Sequence, residues 1–251
     1  MTYRLLYSIL LTTPLLASAA EPEPGAGVGT TQGIINSKRP MDAVQLVGKS
    51  GYGLIPESKV KCQWVFKDEV LTASPKWDSV VTPESYQDFR MHVEFNVNKV
   101  PGVDPEKNGN SGVYIQQRYE LQILNSHGIA AKDYKASYAG SLYRQKKPDK
   151  LVSKPAGEWQ SYDIVFRAAR FKDGKKTENA RITVKQNGEL IHDDYALTNK
   201  TGAGKKEGPE PMPIKLQGHH NPVKFRNVWI QRLKLEPAKK AEPKKKRVTP
   251  T

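Results

Sequence analysis

The sequence predicts an all-β protein, because apolar residues recur at every second position and turn residues separate the alternating segments. In Phe89–Val97 each apolar residue is followed by a polar one, as in a strand with one buried face. The shorter segments Tyr119–Ile123 and Ala180–Val184 alternate in the same way. Asn187 and Gly188 form the dipeptide most typical of a tight hairpin, here between the predicted strands Ile182–Gln186 and Glu189–Ile191. The sequence shows no sustained 3.6-residue stripe of an amphipathic helix, so we expect a β-sandwich or a barrel.

Further short apolar segments bounded by turn residues complete the predicted sheets. Additional strands are expected at Gln63–Phe66, Val70–Ala73, Val80–Thr82, Ser111–Ile115, Trp159–Ala168, Ile214–Leu216 and Val223–Leu233.

Residues 1–19 are predicted to be a cleavable export signal. Arg4 supplies the positive start, Leu5–Leu16 is apolar, and Ala17 and Ala19 form a small-x-small cleavage site. The apolar run of 12 residues is too short to cross a bilayer as a helix. We therefore expect a secreted or periplasmic protein without a transmembrane anchor.

The rest of the chain divides by composition into three parts. Residues 20–40 are rich in Pro and Gly and are predicted to form a flexible linker. Residues 41–236 contain the alternating segments and are predicted to form one β-sandwich domain. Residues 237–251 form a Lys/Pro-rich tail that we expect to be disordered, because it has too little apolar surface to fold.

Charge and cysteine content exclude several classes of function. The chain has 40 Lys+Arg against 26 Asp+Glu, a net charge of +14, and much of this excess lies in residues 237–251. A nucleic-acid-binding domain usually carries its charge on one folded face, so we expect no nucleic-acid partner, whereas the tail could contact an anionic surface. The single cysteine, Cys62, excludes an intrachain disulfide and a Cys-based zinc finger.

If two of the predicted strands are neighbours, they place an acid, two amides and a phenol on one face. Glu120 and Gln122 project from the same side of their strand, about 7 Å apart, because two residues each rise ~3.3 Å. Tyr114 and Gln116 share a face of the preceding strand. Such groups recognise sugar hydroxyls or exchange protons with them. The alternative is a solvated outer face with an ordinary glutamate.

His219 and His220 lie in a predicted turn between two strands. Adjacent histidines on a loop can converge on a site, although a surface turn is the commoner explanation. Together with a carboxylate they could bind a divalent metal. The sequence contains no spacing motif for such a site, so it assigns no cofactor and leaves a divalent metal as one alternative.

Short segments along the chain also match one enzyme family in order. These segments are Trp64–Leu71, Tyr86–Phe89, Asn110–Tyr114, Tyr119–Leu124, Gly140–Tyr143, Gly157–Gln160, Leu216–His219 and Val223–Val228. On these segments the chain resembles the 3-keto-disaccharide hydrolase family (3-keto-glucoside 1,2-lyase / 3-keto-2-hydroxyglucal hydratase domain). The resemblance spans roughly Gln63 to Leu233.

The resemblance implies a concanavalin-A-like lectin/glucanase jelly roll with a concave sugar-binding sheet. It implies that Glu120, Gln122 and His219 line this sheet, with Tyr143 and Arg226 beside them. The chain departs from the family pattern in two places. Asn125 stands where the family often has Asp. The family commonly reads L-Q-D-H-G at residues 216–220 of this chain, where Gly218 takes the place of the Asp. Two carboxylates are therefore absent near the predicted site.

The activity implied by the resemblance is cleavage of 3-keto-glycosides by elimination and hydration. Glu120 is the predicted base and His219 the predicted acid or polarising group, while Tyr114, Gln116 and Gln122 would bind substrate hydroxyls. Because Gln122 is an amide, the pair of carboxylates needed for ordinary retaining hydrolysis is missing. Two alternatives remain open: a non-catalytic carbohydrate-binding module, and a polyanion-adhesive protein that binds through its tail.

Overall fold

The computed structural model describes residues 35–58, 63–76, 78–98 and 107–235, and within them the chain is almost entirely strands and turns. The predicted signal, residues 20–34 of the predicted linker and the predicted tail lie outside the described residues. The strands are β1 Val44–Gly48, β2 Gly51–Tyr52, β3 Ile55–Pro56, β4 Val65–Lys67, β5 Val70–Thr72, β6 Val80–Val81, β7 Asp88–Asn96, β8 Ser111–Ile115, β9 Tyr119–Ile123, β10 Trp159–Arg167, β11 Arg170–Lys172, β12 Lys175–Glu178, β13 Ala180–Gln186, β14 Glu189–Leu197, β15 Lys215–Leu216 and β16 Lys224–Leu233.

Two antiparallel sheets pack face to face. The larger, nine-stranded sheet has the order β14-β13-β10-β7-β16-β1-β2, with β5 joined to β16 and β4 to β5. The smaller, five-stranded sheet has the order β3-β6-β15-β8-β9, and β11 and β12 form a separate hairpin. Val93 and Ile164 from the larger sheet and Val113 and Leu121 from the smaller one belong to the same buried core. This is a β-sandwich of the jelly-roll class, so the predicted fold class is confirmed.

The alternation in β7 determines which of its side chains enter the core. Phe89, Met91, Val93 and Phe95 are all buried against the smaller sheet. The polar residues between them project from the opposite side, because successive side chains of a strand point to opposite faces. The outer face of the larger sheet is therefore polar along its centre.

The β8–β9 hairpin forms one end of the smaller sheet. Ile115 pairs with Tyr119, and the three-residue loop between them begins with Gln116 and Gln117, whose φ values are 50° and 52°. Leu121 of β9 also bridges to Leu142, so the segment after β9 continues the sheet beyond that strand. The side chains between the core residues of β8 and β9 project from the outer face of the smaller sheet.

Most predicted strands were recovered with shifts of one or two residues, whereas β14 extends six residues beyond the predicted Glu189–Ile191. The short strands β1, β2, β3, β11 and β12 were not predicted. β1 and β3 depend on pairing with the distant strands β16 and β6. The described end of the predicted linker also contacts the domain, since Ile35 is buried. In the part of the chain that the structure covers, there is no helix with the length and apolar character needed to cross a membrane.

Candidate active site

The outer face of the smaller sheet carries a row of side chains that crosses β15, β8 and β9. Lys215 pairs with Tyr114, and Tyr114 pairs with Glu120. The row continues beyond β9, because the backbone nitrogen of Tyr143 donates to the carbonyl oxygen of Glu120 at 3.0 Å. The sheet register thus brings together residues that are far apart in the sequence.

A neighbouring row contains a glycine that makes room for the Glu120 side chain. Gly112 pairs with Gln122, and the backbone nitrogen of Gln217 donates to the Gly112 carbonyl at 3.0 Å. A Cβ atom on Gly112 would lie 2.7 Å from Glu120 Oε1 and 3.1 Å from Glu120 Cγ. The glutamate therefore lies across the sheet in the space that a larger residue at 112 would fill.

The Glu120 carboxylate lies between two hydrogen-bond donors. The Tyr114 hydroxyl donates to Glu120 Oε2 at 2.8 Å. The Gln122 amide, oriented with its nitrogen towards the acceptors, donates to Glu120 Oε1 at 3.0 Å and to the Ser111 carbonyl at 3.1 Å. The exposed fraction of Glu120 is 5%. The structure therefore brings Tyr114 and Gln122 to Glu120 and fixes the orientation of its carboxylate.

The environment of Glu120 raises its pKa to about 7 from the usual 4.5. Burial is the main cause, and the hydrogen bond from Tyr114 and the positive charge of Lys215 oppose it. Burial and the neighbouring Glu120 also raise the pKa of Tyr114, so its hydroxyl stays protonated as a donor. A carboxyl group with a pKa near neutral can both accept and return a proton at physiological pH.

Lys215 is a functional candidate that the sequence analysis missed. Its ammonium group lies 4.3 Å from the centroid of the Tyr114 ring and 3.2 Å from Glu57 Oε1. The alternation of the predicted strand Ile214–Leu216 could have indicated it, because Lys215 is the polar residue between two buried ones. What the sequence could not indicate is that this strand pairs with β8.

Gln217 is a second such candidate, two residues further along the chain. Its side-chain oxygen is buried and has no hydrogen-bond partner among the described residues. Since β15 side chains alternate, Gln217 projects from the same face as Lys215. A buried acceptor without a partner at this face can accept a hydrogen bond from a sugar hydroxyl.

His219 follows Gln217 by two residues and is half-buried. Burial lowers its pKa, as does the neighbouring His220, while a backbone hydrogen bond opposes them, so its imidazole is neutral at pH 7. The groups that shift the pKa of Glu120 are Tyr114 and Lys215, and His219 is not among them. His219 lies three residues beyond the end of β15.

Gly218 lies against the backbone, and we expect Gly218→Ala to destabilise the protein. A Cβ atom there would lie 1.7 Å from the Asp78 carbonyl oxygen, so the backbone must move. We expect a loss of about 1–3 kcal/mol in the free energy of unfolding, measured by chemical denaturation. Gly202→Ala is the control, because a Cβ atom on Gly202 meets nothing within 4 Å. Equal stability of the two variants would contradict the expected clash.

Gln116 was predicted to share a polar face with Glu120, but the structure places it in the turn after β8. Its amide nitrogen donates to the Tyr86 carbonyl at 2.8 Å, and its oxygen accepts from Arg118 at 2.9 Å. The left-handed backbone at Gln116 ends the alternation of β8, so counting by two from Tyr114 does not extend to it. Gln116 stabilises the hairpin rather than facing Glu120.

Arg226 was predicted to neighbour Glu120, but it belongs to the opposite outer face of the sandwich. It lies on β16 in the larger sheet, where it pairs with Glu94 of β7. Its Nε atom donates to Glu94 Oε2 at 2.6 Å, and its guanidinium carbon lies 4.0 Å from the centroid of the Trp159 ring. The hydrophobic core separates Arg226 from Glu120.

The described residues do not fit a metal centre of the usual kind. Within residues 35–58, 63–76, 78–98 and 107–235, no three His, Cys, Asp or Glu side chains are grouped so that they could hold an ion. Near Glu120 the polar partners are a phenol, an amide and a cation, and only the first two could contribute neutral ligands. No step of the chemistry below is therefore assigned to a metal.

The structure thus combines a β-sandwich with a buried, hydrogen-bonded carboxyl group on the outer face of one sheet. The chain belongs to the 3-keto-alpha-glucoside-1,2-lyase-like family, whose profile matches residues 47–231. The family resemblance that the sequence indicated is thereby confirmed. No curated protein matches the chain.

Solved structures with the same fold are described as glycosyl hydrolases. A crystal structure from Parabacteroides distasonis ATCC 8503, described as a "putative glycosyl hydrolase", is 28% identical, covers 86% of this chain and 95% of its own, and superposes with a TM-score of 0.70. A second structure with that description from the same organism is 22% identical, covers 76% and 99%, and has a TM-score of 0.53. The first supports a hydrolase- or lyase-like protein, and the second supports the fold alone.

Proposed function

We propose that this chain is an exported enzyme that cleaves 3-keto-glycosides by elimination followed by hydration. The observation that carries the proposal is Glu120, a buried carboxyl group with a pKa of about 7 beside a cation, in a chain of this family. Export rests on the predicted signal at residues 1–19. The sugar-binding surface is the outer face of the smaller sheet.

Elimination requires a base at C2 and a positive group at the C3 oxygen. A ketone at C3 makes the C2 hydrogen acidic, because the resulting carbanion is stabilised as an enolate. Ionised Glu120 accepts that proton, and the Lys215 ammonium stabilises the negative charge that develops on the C3 oxygen. We assign this second role to Lys215 in preference to His219, since burial keeps the His219 imidazole neutral.

The enolate then collapses and the glycosidic bond breaks. The C3 carbonyl re-forms, a C1–C2 double bond appears, and the C1 substituent leaves as an alcohol after taking a proton from water. In the second step the hydroxide left by that water molecule adds to C1, and Glu120 delivers to C2 a proton that it has exchanged with the solvent. The two steps together consume one water molecule and leave Glu120 ionised again.

The arrangement around Glu120 does not support ordinary retaining hydrolysis. That mechanism needs a second carboxyl group about 5 Å from the first. The neighbour on the same strand face is Gln122, an amide that donates to Glu120. Glu57, which reaches this face, is paired with Lys215.

The experiment that tests the proposal is a product assay on 3-keto-trehalose in deuterated water. We expect 3-keto-glucose and glucose as products, and the 3-keto-glucose should carry deuterium at C2 because elimination exchanges that proton. Products without deuterium would contradict elimination. Binding by calorimetry without any products would favour the carbohydrate-binding module instead.

The pH dependence of kcat/KM should change when Lys215 is replaced. Because the proposed base must be ionised, we expect kcat/KM to rise with pH through about 7. Lys215→Met removes a charge that lowers the pKa of Glu120, so this rising limb should move to higher pH and the rate at its plateau should fall. Lys224→Met, at an exposed position in the larger sheet, is the matched control. If the rising limb of kcat/KM lay at the same pH in Lys215→Met as in the parent protein, the role assigned to Lys215 would be contradicted.

A further inference from the structure

A polar groove crosses the outer face of the larger sheet, on the opposite side of the core from Glu120. Two adjoining cavities of about 530 and about 490 Å³ form it, and they share the residues Glu94, Arg226 and Asn227. Each volume lies within the roughly 300–1,000 Å³ of typical ligand sites. The candidate active site described above uses none of these residues.

The centre of the groove is a preorganised cluster of charged side chains. Glu94 accepts from Arg226 Nε at 2.6 Å and from Asn227 Nδ2 at 2.8 Å. Burial would raise the pKa of Glu94, but these hydrogen bonds outweigh it and lower the pKa, so the carboxylate is ionised. Arg226 also stacks 4.0 Å above Trp159, which fixes the plane of the guanidinium group. Its Nη edge is the part that can bind a carboxylate or sulfate in two-point fashion.

One polar atom in the groove is buried without a hydrogen bond among the described residues. His92 lines the second cavity, and its Nδ1 lies 2.7 Å from Asp163 Oδ1. Its Nε2 is buried and unsatisfied, 3.6 Å from Glu94 Oε1. Unpaired buried polar groups are rare in folded proteins, so this atom indicates a missing partner such as a sugar hydroxyl.

The rim of the groove is positively charged. Arg39 and Lys49 line the first cavity and Lys154 lines the second, and all three are exposed. The rim carries one acidic residue, Glu69. With Glu94 neutralised by Arg226, the groove as a whole favours a ligand with negative charge.

We propose that this groove is a second carbohydrate site that binds an acidic oligosaccharide, separate from the face that carries Glu120. Trp159 provides the single large apolar surface, and the remaining lining provides amide, hydroxyl and charged groups that suit a glycan. The carboxylates of uronate units would pair with Arg226 and the rim cations. The proposal does not depend on the activity proposed for Glu120.

Isothermal titration calorimetry with tetragalacturonic acid tests the groove in the full-length protein. We expect binding that weakens with added salt, and at least a tenfold loss of affinity in the double variant Arg39→Ala/Lys49→Ala. Lys172→Ala/Lys175→Ala is the matched control. It removes the same charge from exposed positions that do not line the groove, and it should keep the affinity of the parent protein.

Three results would overturn the proposal: no binding of tetragalacturonic acid, an equal loss in both double variants, or equally tight binding of neutral cellotetraose. Turnover of 3-keto-trehalose should be the same in the two double variants, because neither change touches the Glu120 face. Failure of the groove and failure of the proposed enzyme activity are therefore distinguished by separate measurements.

Discussion

Glu120→Gln is expected to lower kcat for 3-keto-trehalose by about 10²–10⁴-fold, the usual contribution of a positioned general base. Glutamine has nearly the same shape and can still accept from the Tyr114 hydroxyl, but it cannot take a proton from C2. The substrate should still bind, so KM should change much less than kcat. The measurement is steady-state kinetics on the purified variant and the parent protein.

The same variant should be at least as stable as the parent at alkaline pH. Burial raises the pKa of Glu120 from 4.5 to about 7, so ionising it disfavours the folded state. This cost is absent below pH 4.5, grows as the pH rises to about 7, and then stays constant at roughly 3 kcal/mol at most. Glu120→Gln should remove it, giving a higher unfolding midpoint above pH 7.

Glu158→Gln, at an exposed position before β10, is the control for both measurements. We expect it to change neither the rate nor the pH dependence of stability. A Glu120→Gln variant that folds and retains full kcat would remove Glu120 from the mechanism.

Gly112→Ala is expected to lower kcat/KM by about 10–100-fold, with a smaller loss of stability than a clash with the backbone would cause. The new Cβ atom would meet Glu120 Oε1 at 2.7 Å, and the end of a side chain can move more easily than the backbone. The carboxylate must therefore leave its place between Tyr114 and Gln122. A misplacement of about 1 Å is enough to cost roughly 10²-fold in rate.

Gly53→Ala is the matched control, because the nearest atom to its Cβ would be 3.9 Å away. Kinetics and thermal unfolding should be measured on both variants. If Gly112→Ala kept the parent rate, the carboxylate position would be irrelevant to the chemistry. If its unfolding midpoint fell sharply, kinetics at a temperature where Gly112→Ala is fully folded would show whether the rate falls in the folded protein.

Local periodicity was enough to predict the class of fold. It was also enough to predict that Glu120 and Gln122 project from the same side of their strand. The prediction of β8 and β9 was correct to the residue, although both faces of each strand are buried. The same rule failed at Gln116, where a left-handed backbone ends the alternation. Short strands such as β1 and β3 escaped prediction because their stability comes from pairing with distant strands.

The sequence by itself determined an all-β chain with a carboxyl and an amide on one face of a strand and a phenol on the strand before it. Only the tertiary structure decided that β15 pairs with β8 and so brings Lys215 to Glu120, and that Arg226 lies on the opposite sheet. Strand pairing between distant segments depends on how two sheets share one core, which no local pattern encodes. The raised pKa of Glu120 is likewise a tertiary property, since it follows from what covers the carboxyl group.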